Sequence, residues 1–190
     1  MPIAKSTMGE TVQAGVGMSS QKKERGGFGG VFTVTCFDAD GNQKWEDSFH
    51  NLVVNVGLQD LNTQFFKGSG YTAAWYLGLV TGPGSGVTYA ATDTLGSVSW
   101  TEFTNYTGNR KLVSFGSATN ADPSVISNSA SQASYTISGG GGTVAGAFLC
   151  TVATGTSGVL FSEGNFTGGD KIVAAGDTLN VTYTFNADSV

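Results

Sequence analysis

His50 is the only histidine in the 190 residues, so any serine or cysteine triad would have to use it as its base. It closes a strand-like run beside Asn51, and no Gly-x-Ser-x-Gly turn offers it a nucleophile. Its surroundings suit a packed or turn-bonding imidazole. A zinc centre needs about four ligands, and one histidine with two scattered cysteines, Cys36 and Cys150, cannot supply them. Asp38-Ala39-Asp40-Gly41-Asn42 opens like a calcium loop, but position twelve holds Phe49 where a glutamate ligand is required. The same residues make a good hairpin turn, because Asp, Gly and Asn tolerate the backbone angles.

The carboxylates give no clearer chemistry. Glu46 and Asp47 could form a glycosidase pair if they shared a cleft, but neighbours on a strand point to opposite faces. Glu102 and Glu163 read as surface charges or turn caps. The tetraglycine Gly139–Gly142 is followed by neither Lys-Ser/Thr nor a helix, so it is a loop between strands rather than a phosphate cradle. The expectation is a protein that is not an enzyme, with no cofactor and no metal.

The elements that would position these residues are mostly strands. Val31–Phe37 and Lys44–Phe49 read as a hairpin around the Asp38–Asn42 turn. Asn55 can cap a short helix on which Leu58, Leu61 and Phe65 recur at helical spacing. Residues 73–80 are apolar on both faces, as a buried strand requires. After the Gly82-Pro83-Gly84-Ser85-Gly86 loop, Asp93 or Thr94 could open a second short helix ending near Trp100. Arg110–Phe115 follows as a strand. Beyond Asp122-Pro123 come five more runs: Ala133–Ser138, Thr143–Val152, Gly158–Glu163, Lys171–Ala174 and Thr178–Asn186. Trp75, Trp100 and the other large aromatics, among them Tyr106 and Phe148, read as core.

Composition agrees. Charged residues are 12% of the chain, about half the usual share, while twenty-nine glycines and twelve phenylalanines favour turns and strands. The predicted fold is mainly β: a jelly roll or β-sandwich with one or two short helices. It spans residues 30–190, preceded by an extended or disordered N-terminal arm over 1–29. At this length roughly 70% of the unfolded surface can be buried, so neither a disulfide nor a metal is needed. Both cysteines sit in apolar runs and read as buried free thiols.

Charge is unevenly spread. The first thirty residues hold Lys5, Lys22, Lys23 and Arg25 against Glu10 and Glu24, a net +2, which leaves −7 for the rest of a chain whose total is −5. An acidic body lacks the basic face that nucleic acid demands. The start of the chain has no apolar signal core and no run is long enough to span a membrane, so synthesis in the cytoplasm is expected, with no nucleic-acid or membrane partner.

Three blocks of sequence carry a resemblance. They are Phe49–Leu58 with Trp75–Leu79; Ser99–Phe103 with Tyr106 and Asn109-Arg110; and Gly146–Leu149 with Val159–Phe161, Gly164–Phe166 and Gly176–Tyr183. Together they resemble small structural proteins of tailed-bacteriophage particles, of the capsid decoration (cement) type. The resemblance covers about residues 30–190 and carries no catalytic residues. It implies a virion protein on the capsid surface, with the major capsid protein and further copies of itself, as a dimer or trimer, for partners. The arm would then contact capsid subunits through Lys5, Lys22, Lys23, Arg25 and Phe28. The alternative is a tail- or fibre-associated receptor or carbohydrate-binding module using loop aromatics such as Tyr71, Tyr89 and Tyr106.

Overall fold

The computed structural model describes residues 27–67 and 74–188. Twelve strands and one helix follow in the order β1 (Phe28–Phe37), β2 (Gln43–His50), β3 (Leu52–Val53), α1 (Asn55–Lys67), β4 (Tyr76–Thr81), β5 (Glu102–Phe103), β6 (Lys111–Leu112), β7 (Ser124–Ser127), β8 (Ala133–Thr136), β9 (Gly142–Cys150), β10 (Leu160–Asn165), β11 (Lys171–Val173) and β12 (Thr178–Ala187). They form two antiparallel sheets stacked as a β-sandwich. The first runs β2-β1-β12, with β7 and β8 both pairing along β12. The second runs β3-β10-β9-β4, with β5 and β6 along β4 and β11 along β9.

The first sheet follows from strict alternation. On β1, Phe32, Val34 and Cys36 point inward; on β12, Leu179, Val181 and Tyr183 do the same. Their outward neighbours are hydroxyl and amide side chains, placed side by side by the register Thr33↔Thr182 and Thr35↔Asn180. Adjacent hydroxyls bond across strands, Thr33 with Ser48 at 2.8 Å and Thr184 to Ser127 at 3.0 Å. Such cross-strand pairs are the unit of stabilisation on a wet sheet face.

The second sheet is apolar on both faces. Val144, Ala147 and Leu149 of β9 join the core between the sheets, while Ala145, Phe148 and Cys150 join a second cluster on the far side with Val54, Val80, Leu95, Trp100 and Leu160. The segment between β4 and β5 covers that side, bringing Leu95 and Trp100 onto Phe148; the Trp100 and Phe148 rings lie 4.6 Å apart. Gly78 makes the stacking possible, since a Cβ there would fall 2.2 Å from the Phe148 ring. The tetraglycine is the expected turn: all four residues have positive φ, and a Cβ on Gly141 would strike the Val173 carbonyl.

Several expectations need correction. β1 begins at Phe28, because Phe28 pairs with Ala187 at the end of the β1–β12 ladder. The second helix does not form. Asp93 accepts a hydrogen bond from the Ala90 amide at 3.0 Å, and Thr94 and Ser97 close a tight turn around Gly96; a side chain that satisfies nearby backbone competes with helix. In α1 the Leu58 amide donates to the Val54 carbonyl, so Val54 rather than Asn55 holds the cap position. Leu58 and Leu61 are half-buried, but Phe65 stands in water.

Candidate functional site

Of the five exposed large hydrophobic side chains among the described residues, Leu112 and Ile172 stand on β6 and β11, and the three phenylalanines lie where β1 starts and α1 ends. Phe28, 51% exposed, stacks on Phe185 of β12 with ring centroids 6.0 Å apart and planes 6° from parallel. Phe185 meets Phe161 edge-on at 5.6 Å, and Phe161 meets Trp75 at 5.2 Å. This file of rings borders a cleft of about 580 Å³ whose walls include Leu61, Trp75, Phe115, Leu149, Phe161 and Phe185. Among the described residues no charged side chain lines it. A smaller recess of about 220 Å³ shares Leu61 and Trp75 and adds Asp60, Gln64 and Phe65. On the helix beside it, Phe65 and Phe66 are 81% and 77% exposed and pack only edge-on against each other among the described residues. Apolar clefts of this size, rimmed by bare aromatics, mark contact surfaces.

Sequence reasoning missed this rim. Phe65 lies in phase with Leu58 and Leu61 and so reads as core. The helix lies tight against β10 at Gly57, where a Cβ would sit 2.6 Å from the Phe161 carbonyl, whereas Phe65, two turns on, is exposed.

The ionisable groups away from this corner serve as clasps. Glu163 on β10 is completely buried, and the Trp100 indole N–H donates to its Oε2 at 2.7 Å. Burial raises its pKa to about 8; the Trp100 hydrogen bond opposes the rise and the nearby Asp93 carboxylate adds to it. Glu163 is therefore mostly a neutral acid at pH 7. Arg110, also buried, donates through Nε and Nη2 to Glu102 at 2.9 and 2.7 Å and through Nη1 to the carbonyls of Val152 and Gly155. That fork ties the turn after β9 to β5. The expectation of a surface charge fails for Glu163, which residues distant in sequence cover, while Glu102 stays partly exposed and is paired with Arg110.

Asp47 faces inward and accepts from the Thr167 amide and hydroxyl, the Gly168 amide and Lys171. Burial acts to raise its pKa, and these donors hold it below the ordinary value. Asp177 likewise accepts from Lys44 and the Ala174 amide, fixing the turn before β12. Glu46, its side chain turned outward from the same strand as Asp47, accepts from Thr35 at 3.0 Å; the two carboxylates face opposite ways, as strand geometry requires.

His50 is exposed at the end of β2 rather than packed. The Asp38 carboxylate is occupied by the amides of Asp40 and Asn42 and by the Asn42 side chain, which is the expected hairpin turn. Cys36 and Cys150 are free, buried and in separate apolar clusters. Among the described residues no three His, Cys, Asp or Glu side chains converge on a metal position. Of the loop aromatics, Tyr106 is buried against Tyr135, so it offers no platform, and Tyr89 is half-buried with its hydroxyl donating to Asn165 at 2.5 Å. Of the expected arm contacts, the structure places Phe28 at the aromatic corner. Lys5, Lys22, Lys23 and Arg25 lie outside the described residues, as does Tyr71. No helix among the described residues is long and apolar enough to cross a membrane.

No known family, curated protein or solved structure matches this chain.

Proposed function

We propose that the protein is a structural component of a tailed-phage particle that binds the outside of the capsid and stabilises it. The observation that carries the reading is the aromatic corner. Phe28, Phe65 and Phe66 are three of the five exposed large hydrophobic side chains among the described residues, and Phe28 follows directly on the basic N-terminal stretch in sequence. An apolar patch next in sequence to Lys22, Lys23 and Arg25 suits a protein partner with an acidic rim, and the −7 body keeps the outward face soluble. Anything that binds only the assembled shell shifts assembly towards it. The three sequence blocks described above support the same assignment, with the major capsid protein and further copies of this chain as partners.

Quantitative mass spectrometry of purified virions tests it. One copy per one to a few capsid subunits is the expected result; a handful of copies per particle would move the protein to the tail and overturn the reading. Exchanging Phe65 and Phe66 together for serine should leave the fold intact and reduce binding to stripped capsids at least about tenfold, the loss typical of a central aromatic anchor. Undiminished binding would remove this corner from the contact.

A further inference from the structure

We infer that the cleft at the aromatic corner is the seat of residues 11–18 of the chain's own N-terminal stretch, docked within the same molecule. Among the described residues, Leu61, Trp75, Phe115 and Phe185 remain only half-covered around about 580 Å³ of space, and water in such a space gives up hydrogen bonds that apolar walls do not return.

Three observations identify the occupant. The first is position: Phe28, the second described residue, stacks on Phe185, which is itself a wall of the cleft. The twenty-six residues ahead of Gly27 therefore enter the fold at the cleft's edge. Nine extended residues reach about 30 Å, so a segment ending at Met18 spans the mouth with chain to spare.

The second observation is chemistry. Thr11-Val12-Gln13-Ala14-Gly15-Val16-Gly17-Met18 holds no charge, and Val12, Val16 and Met18 supply apolar side chains to a cleft with no charged wall. Ala14, Gly15 and Gly17 let the backbone lie close to the rings. Methionine suits an irregular aromatic site, since its thioether is flexible and polarisable. The third is how the charges are placed: Glu10 precedes the segment, and Lys22, Lys23, Glu24 and Arg25 follow it, all beyond the stretch that would be buried. A tether this short holds the segment near its seat at roughly millimolar effective concentration, so even modest contacts fill the cleft. The inference concerns the isolated chain and stands or falls apart from the capsid reading.

Full-length protein carrying Val12→Ser, Val16→Ser and Met18→Ser together tests it, with 8-anilinonaphthalene-1-sulfonate as the probe of open apolar surface. The substitutions fall outside the described residues, and unchanged circular dichroism confirms that the body is folded. The expected result is a several-fold rise in probe fluorescence over the parent chain, reversed when the same positions carry Leu. Equal fluorescence in parent and Ser variant would overturn the proposal. A benzophenone side chain at position 16 supplies the location. It should crosslink to Trp75 or Phe115 of the same chain, with a yield independent of protein concentration. Crosslinks to residues 68–73, or between copies, would assign the cleft to another occupant and overturn it equally.

Discussion

The two sheets are built from similar strands but meet opposite fates. The first has one dry face and one wet one, and its wet face is a plain of Thr, Ser and Asn with the single exposed acid Glu46 among its strand pairings. The second is dry on both faces, because the segment between β4 and β5 folds back over β9 and β10. Alternation alone leaves every second residue of a strand in water. Long-range cover turns the same position into core, and a carboxylate that lands there must lose its charge or find a partner. Glu163 does the first.

Breaking the cover should cost most. Phe148→Ala empties the space shared with Trp100 and Arg110, and a loss of about 3–5 kcal/mol is expected in urea unfolding. A change no larger than that of an exposed position would erase the distinction between the sheets.

Next comes pH. Glu163 holds its proton to about 8 when folded, against an ordinary value of 4.5. The folded state then binds more protons than the unfolded one, so this group's stabilising contribution is complete below pH 4.5 and declines as pH rises towards 8, at up to about 1.4 kcal/mol per pH unit. Asp47 and Asp177 have lowered values and act in the opposite direction, below their ordinary 3.8. Unfolding midpoints measured from pH 5 to 8 therefore isolate Glu163. Glu163→Gln should flatten the slope, and a slope unchanged by that substitution would refute the buried neutral acid.

Trp100→Phe keeps the ring and removes the N–H, leaving the acid without its donor. A loss of about 1–3 kcal/mol is expected, with the alkaline decline displaced to higher pH because the lost bond favoured the charged form. A decline at the parent's pH would show that the bond contributes nothing.

The smallest effect belongs to the wet face. Thr182→Ala, in the Thr33 row, should move stability by less than about 0.5 kcal/mol. A larger loss would mean that this plain, too, is covered.

These contrasts mark where the sequence was informative. The Asp38–Asn42 hairpin, the tetraglycine turn and the alternation of β12 are local, and each was legible from residues a few places apart. The fate of Glu163 was not. It ends an apolar run in a position that is wet in an ordinary sandwich, and the residues that cover it, Asp93 and Trp100, lie more than sixty positions earlier. Asp93 misled for a related reason: it carries a genuine capping side chain, spent here on a tight turn. The exposed Phe65 kept helical phase with Leu58 and Leu61, so phase alone could not tell that its position lies beyond the sheet's cover.

The ladder joining β1 to β12 has a consequence for how the protein comes into being. These strands pair along ten residues at the middle of the first sheet, yet about 140 positions separate them. While a ribosome is still translating, the β1–β2 hairpin waits with an open edge and an uncovered apolar face, and two strands alone are marginal in water. The sheet can close only when Thr178–Ala187 emerges. Closure of this sheet is thus slow and must wait until every residue between β2 and β12 has been made, and over that interval the open β1–β2 edge is exposed to aggregation.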